Sequence, residues 1–192
     1  MKNTSPTPKA TRPRSAASHQ AIIAAAVRIL SEQGPAAFTI ERVAKVSGTG
    51  KPTIYRWWPS KTALLIEVFD HETAAYVAIP DLHSTYDELL TWFNGVWDMW
   101  QTSVGGAAFR VILAEIQSDQ QALQFFNDAF VVHRRARLLA VLQRAQQRGE
   151  LQGRDLEVIV DYCWGFNWYH LLTHTTPSQA AIREVIATVT RS

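Results

Sequence analysis

Between positions 51 and 61 stand Lys51, Thr53, Tyr55, Arg56 and Lys61, five side chains that share one chemistry: they donate hydrogen bonds to anionic oxygen. Lysine and arginine hold phosphate by charge, while threonine and tyrosine hydroxyls donate to the same oxygens without it. Lys51 and Thr53 open the segment, where a helix entering a major groove reaches base edges, and Ile54 is left to pack inward. Other chemical spacings are incomplete. A phosphate loop of the G-x-x-x-x-G-K-[ST] type requires Gly at 45 and Ser or Thr at 52, but the chain has Lys45 and Pro52. His71-Glu72 begins like a zinc-protease helix, yet the second histidine falls on Ala75. His170 and His174, one turn apart, either share a metal or complement the negative end of their helix. With no third ligand beside them, no metal site and no cofactor are expected. Cys163 lies among Val160, Trp164 and Phe166 and reads as a small core residue, or as a redox sensor if exposed and activated. No Ser/His/Asp set or carboxylate pair stands out, so no catalytic residue is assigned.

The donors need helices to hold them, and the apolar period is helical throughout. Residues 1–17 are rich in Pro, Ser, Thr, Lys and Arg and read as a disordered basic arm. Ala21, Ile22, Ala25, Ala26, Ile29 and Leu30 define a first helix over about 18–33, stopped by Gly34-Pro35. Thr39 caps a second, short helix that ends at Ser47-Gly48. The third, with Gly50 before it and Pro52 in its first turn, carries the donors up to Pro59. Two short helices around Ser47-Gly48-Thr49-Gly50 have the spacing of a helix-turn-helix. Ser60 opens a fourth helix that runs to about Ile79, and Thr85-x-x-Glu88 is a capping-box pattern for a fifth. Gly105-Gly106 breaks the fifth, a short sixth carries Phe109 to Ile116, and a long seventh spans Leu123 to Arg148. An eighth spans Asp155 to His174 and a ninth Ser178 to about Thr190. The expected class is all-α, about nine helices: a three-helix head over 18–62 and a helical bundle over 63–192.

The run from Phe38 to Leu65, FTIERVAKVSGTGKPTIYRWWPSKTALL, resembles the DNA-binding signature of the TetR family of bacterial transcriptional regulators, and the likeness is strong over residues 18–70. It implies a three-helix DNA-reading head, a long fourth helix leading to an all-α effector domain, and a homodimer on a palindromic operator. By position, Lys51, Pro52 and Thr53 match the residues that reach bases. Tyr55 matches the phosphate-binding tyrosine, Lys61 a backbone-contacting lysine, and Thr39 and Arg42 the phosphate-contacting start of helix two. Thr49, Gly50, Arg56 and Trp57 complete the expected DNA-facing set. Gly50 stands where many members have a capping Ser and Pro52 where many have Gly or Ala. Trp57-Trp58 replaces a His/Tyr-Phe pair; Trp58 is expected in the core.

Charge divides the chain at the same place. Residues 1–61 hold ten Lys and Arg against two acids, a formal +8; residues 62–192 hold nine Arg against 15 acids, a formal −6. A basic head can neutralise phosphates and an acidic body is repelled by them. At 192 residues the chain can bury a real core. No apolar run approaches the roughly 20 residues of a membrane span. One cysteine and no apolar leader point to the cytoplasm.

Sixteen of the 20 aromatic residues lie beyond position 60. They form the bundle core, or some of Trp92, Trp97, Trp100, Phe109, Phe126, Phe130, Trp164 and Trp168 line a pocket for an apolar or aromatic effector. The eighth helix is apolar around most of its circumference and so calls for burial on nearly all sides. That points to a second copy, with Ile159, Cys163, Gly165 and Phe166, and Ile182, Val185, Ile186 and Val189 of the ninth helix, at the dimer interface. His133-Arg134-Arg135-Arg137 reads either as a solvated face paired with acids such as Asp128 or as a site for an acidic effector. The expected protein is thus a ligand-released, DNA-binding repressor. The rival is a helical aromatic-ligand-binding protein or enzyme whose basic head is incidental.

Overall fold

The computed structural model describes the backbone of residues 12–74 and 79–191 and the side chains from residue 16 onward, 75–78 and 192 excepted. Among them the chain is helical without strands: α1 (Arg12–Gln33), a 3-10 turn (Pro35–Ala37), α2 (Ile40–Ser47), α3 (Lys51–Trp57), α4 (Lys61–Thr73), α5 (Thr85–Thr102), α6 (Gly105–Ile116), α7 (Gln120–Phe126), a π-helical turn (Asn127–Val131), α8 (Val132–Gln147), α9 (Leu156–Leu172) and α10 (Gln179–Thr190). Because α7, the π turn and α8 are continuous, the described residues form nine helical bodies.

The head follows from local chemistry. Thr39 caps α2 by accepting from the Arg42 N–H at 3.1 Å. Gly48, at φ 68°, closes it in the left-handed region that a side chain resists. Ser60 caps α4 by accepting from the Ala63 N–H. Ile22, Ile29, Val43, Ile54 and Leu64 are fully buried together, so α1 and α4 clasp the two short helices. The disordered arm expected over 1–17 is contradicted in its last residues. Arg12 to Ala17 already belong to α1, since nothing from Arg14 to Ala17 breaks a helix, and residues 1–11 lie outside the described part.

Two apolar cores organise the rest. One runs without interruption from the head through α4 into α6, α7 and the π turn; the other joins α5, α8, α9 and α10. α4 packs along α6, and α6 also touches the 3-10 turn and α1. The expected domain boundary at 62/63 therefore falls in the first turn of α4, between the buried Thr62 and Ala63.

Several element boundaries differ from expectation. The regular part of α4 stops at Thr73 rather than near Ile79; Ile79 is irregular, and 75–78 lie outside the described residues. The cap of α5 is Ser84, not Thr85: its hydroxyl accepts from the Asp87 N–H. Glu88 instead reaches away, accepting from the Leu82 N–H at 3.1 Å and from Arg148, fully buried. Gly105 and Gly106 begin α6 rather than merely ending α5, because only a residue without Cβ fits there. An added Cβ at Gly106 would stand 2.7 Å from the Trp100 carbonyl oxygen. The seventh predicted helix contains the π turn, closed by the Val132 N–H donating to the Asn127 carbonyl. Asp119 caps its first turn.

Candidate nucleic-acid interface and effector cavity

The turn between α2 and α3 gives every donor its place. Thr49 N–H donates to Ala44 O at 3.1 Å, and the Ser47 and Thr49 hydroxyls share a hydrogen bond of 2.7 Å that ties the turn together. Gly50 enters α3 extended and without a side-chain cap, and Pro52 occupies the first turn. Ile54 points into the core. On the opposite side Lys51, Pro52, Tyr55, Arg56 and Trp57 are exposed, with Thr39, Arg42 and Gly50 beside them; Thr53 and Thr49 are half-buried. Arg42, Lys45 and Arg56 form no ion pair among the described residues. The surface therefore presents unneutralised guanidinium and ammonium groups next to hydroxyls, a composition suited to phosphate oxygens.

Two lysines are already partnered. Lys51 is bound to Glu41 of α2, and the contact holds the Glu41 carboxyl below and the Lys51 ammonium above their ordinary values. Lys61, at the start of α4, is bound to Glu115 of α6, which ties the head to the bundle. Trp58 is buried, as expected, and its indole N–H donates to Glu67 at 2.6 Å. Trp57 packs edge-on to His19 at 4.9 Å while staying 40 % exposed. The side chains of Arg12 and Arg14 lie outside the described residues.

In the bundle a cavity of about 100 Å³, open to solvent, lies between α4, α5, α6, the π turn, α8 and α9. Trp92, Trp100, Phe109, Phe130, Trp164 and Trp168 line it. Trp97 and Phe126 do not. Trp97 is packed edge-on to Trp100, and Phe126 is stacked on Phe130 and wholly buried in the first core. Phe69, Thr73, Ile79, Val96, Met99, Arg134, Arg137 and Asn167 complete the wall. Aromatic composition does not point to most of these; the sequence signals are the basic run that holds Arg134 and Arg137, and a polar Asn167 interrupting the apolar run of α9.

The basic cluster on α8 is divided by the fold. Arg135 pairs with Glu157 and Asp161 of α9, and Arg134 pairs with Asp70 of α4 rather than with Asp128. The Arg134 guanidinium also lies 3.9 Å above the Phe130 ring and 4.8 Å from that of Phe69. Burial pushes its pKa down, against the pull of Asp70. Burial likewise raises the Cys163 thiol to about 12, the behaviour of a core residue. His170 Nδ1 is hydrogen-bonded to the Thr175 hydroxyl at 2.7 Å, and no three potential metal ligands gather among the described residues.

Of the expected dimer residues, all but Gly165 pack inside one chain. Ile159, Cys163, Ile182, Ile186 and Val189 are buried in the second core, and Phe166 and Val185 are half-buried against it. α9 is apolar on two sides for two reasons: one side faces this core, and the other exposes Val158, Tyr162, Tyr169 and Leu172 with the open Gly165 between them.

A helix-turn-helix head with an exposed donor surface, fused through a shared core to an all-helical bundle with an internal cavity, defines a DNA-binding transcriptional regulator. The model "Bacterial regulatory proteins, tetR family" matches residues 22–68, and "Tetracyclin repressor-like, C-terminal domain" matches residues 79–189. The chain belongs to the TetR family of bacterial transcriptional regulators. It is 28% identical over 177 residues to the HTH-type transcriptional regulator YdeS of Bacillus subtilis, covering 91% of this chain and 89% of that one. Among solved structures, the TetR family transcription regulator SCO0332 superposes with a TM-score of 0.73 at 28% identity, covering 89% and 95% of the two chains. The fold is shared with FadR of Bacillus subtilis, solved in complex with stearoyl-CoA: TM-score 0.66, 18% identity, 90% and 98% covered. Among the described residues no helix is long and apolar enough to cross a membrane.

Proposed function

We propose that this regulator is a cytoplasmic homodimeric repressor that holds a palindromic operator through α2 and α3 and releases it when a small molecule fills the bundle cavity. The observation that carries the DNA-facing assignment is the exposed surface of Arg42, Lys45, Tyr55 and Arg56 around Lys51, with little acidic charge to compete. In this reading Lys51, Pro52 and Thr53 meet base edges. Thr39, Arg42, Tyr55 and Arg56 hold phosphates, and Trp57 packs beside the backbone. Lys61 serves the phosphates only when it leaves Glu115, which makes head orientation sensitive to the α4–α6 packing.

The dimer surface is the exposed stripe Val158, Tyr162, Gly165, Tyr169 and Leu172 of α9, in place of the residues buried in the protomer core. An effector acts by unequal affinity for two dimer geometries, one of which spoils the half-site spacing. Complex formation by the fold neighbour FadR supports a ligand in a bundle of this kind.

A mobility-shift titration on the DNA flanking the protein's own gene, at two salt concentrations, tests the DNA assignment. Retention of a discrete site is expected. Lys51→Ala should weaken binding and relax discrimination at one base position, at a cost of about 1–3 kcal/mol. Tyr55→Phe should weaken it on all sequences alike. Unchanged binding by both folded variants would overturn the assignment.

A further inference from the structure

The cavity is apolar in its walls and specific in its polar groups. Asn167 is 2% exposed and aimed into the lining, yet neither its amide nitrogen nor its oxygen has a hydrogen-bond partner among the described residues. The indole N–H groups of Trp100 and Trp164, which also line the cavity, are buried and unpartnered as well. Buried polar groups are satisfied in folded proteins by protein, water or ligand. Three of these four atoms are donors, so the complementary ligand is rich in acceptor oxygen.

At the mouth the charge is positive. Arg134 and Arg137 line both the cavity and an outer vestibule that they share with Asp70 and His133. Asp70 is committed to Arg134. Arg137 is exposed and makes no ion pair among the described residues, and its proximity adds to the burial that lowers the Arg134 pKa. Two neighbouring guanidinium groups, only one of them paired with a carboxylate, repel a cationic ligand and leave one place for an anion.

We propose that the effector is an amphipathic anion. A flat apolar body lies against the cavity wall of Trp100, Phe109 and Trp168, acceptor oxygens face Asn167 and the Trp164 indole, and a carboxylate, sulfonate or phosphate group rests on Arg137 at the mouth. This rests on the reading of the cavity as the effector site and adds the chemical class of its ligand.

Two probes with one skeleton separate the two ideas: 8-anilinonaphthalene-1-sulfonate and its uncharged counterpart N-phenyl-1-naphthylamine, titrated by fluorescence against the full chain. One sulfonate probe per chain is expected, bound about tenfold more tightly than the neutral one, the worth of one charge-assisted contact. Arg137→Gln, a surface change compatible with folding, should bring the sulfonate probe down to the affinity of the neutral one. Arg137→Lys should restore part of the difference, and the neutral probe should bind all three proteins alike. Sodium 2-naphthoate should displace the sulfonate probe where 2-naphthamide does not. Equal affinity for both probes, or indifference to Arg137→Gln, overturns the anion assignment while leaving an apolar ligand cavity in place. Failure of both probes to bind, or undiminished binding when Val96→Trp fills the cavity of a protein still helical by circular dichroism, overturns the cavity reading and the proposal with it.

Discussion

Lys51, the residue of α3 proposed to reach base edges, is paired with Glu41 of α2. The Glu41 contact lowers the carboxyl pKa and raises that of the ammonium, so both stay charged through the neutral range. In the proposed complex DNA must therefore compete with Glu41 for Lys51 while also meeting the repulsion of the carboxylate itself. Glu41→Gln should tighten non-specific binding several-fold at low salt and leave the salt slope steeper, since one more cation is free to displace counterions. A titration against random-sequence duplex at three salt concentrations checks this; weaker binding would mean that Glu41 serves to orient the lysine. At the opposite extreme stands Cys163, fully buried, with a thiol raised to about 12. At pH 8 only on the order of one thiol in ten thousand is ionised, and thiolate is the reactive form. It should resist a disulfide reagent in the folded protein and react only on denaturation; prompt native reaction would reinstate a redox role. The surface position of the residues proposed to face DNA was legible because it follows from spacing along two short helices. Arg137 was marked only within a basic run that had two readings, and Asn167 not at all, because their place depends on which side chains from α4, α5 and the π turn meet them across the cavity, and no local period encodes that.

At the level of elements, helix existence was read correctly wherever the apolar period was long, and boundaries slipped where tertiary contact decided them. Thr85-x-x-Glu88 looks like a capping box, but burying Glu88 against Arg148 and the Leu82 N–H satisfies more groups than local capping would, and Ser84 takes the cap. The π turn is invisible to an apolar count, because the same residues suit an α-helix. Its effect is to bring Phe130 to the cavity and Ala129 to the vestibule on one strand of backbone. The glycine pair makes the difference measurable. An alanine Cβ at Gly106 would meet the Trp100 carbonyl oxygen at 2.7 Å, a backbone atom that cannot swing aside, whereas nothing lies within 4 Å of one at Gly95 in α5. Gly106→Ala should destabilise by about 1–3 kcal/mol, as overpacking does, and lower the melting temperature by several degrees. Gly95→Ala should stabilise by about 0.4–1 kcal/mol through the entropy of the unfolded chain. Thermal denaturation of the pair tests both signs; a stabilising Gly106→Ala would mean that the α5–α6 junction is not tightly packed.

For the whole molecule, the decisive feature is that α9 spends one face inside the protomer and leaves another apolar. Val158, Tyr162, Gly165, Tyr169 and Leu172 are separated by four, three, four and three residues, the spacing of a seam between two helices. From the first to the last the stripe runs about 21 Å at 1.5 Å per residue. Gly165 at its centre has open space around it, so two copies can approach closely there. A two-fold interface uses the same patch on both subunits, and a palindromic operator needs that two-fold axis to set two α3 helices one helical turn apart. Placing charge on the seam of both copies at once should separate them. Tyr162→Glu with Tyr169→Glu alters two residues that are 60% and 62% exposed in the single chain, so the protomer core is untouched. Sedimentation should then show particles near the single-chain mass of 21.6 kDa, against twice that expected for the parent protein. Operator affinity should fall by orders of magnitude, because each monomer holds one half-site and the contribution of the second becomes bimolecular. The cavity of each chain remains intact, so probe binding should persist. A double variant that stays dimeric would move the interface off α9, and one that becomes monomeric yet binds the operator as before would remove the link between two-fold symmetry and DNA recognition.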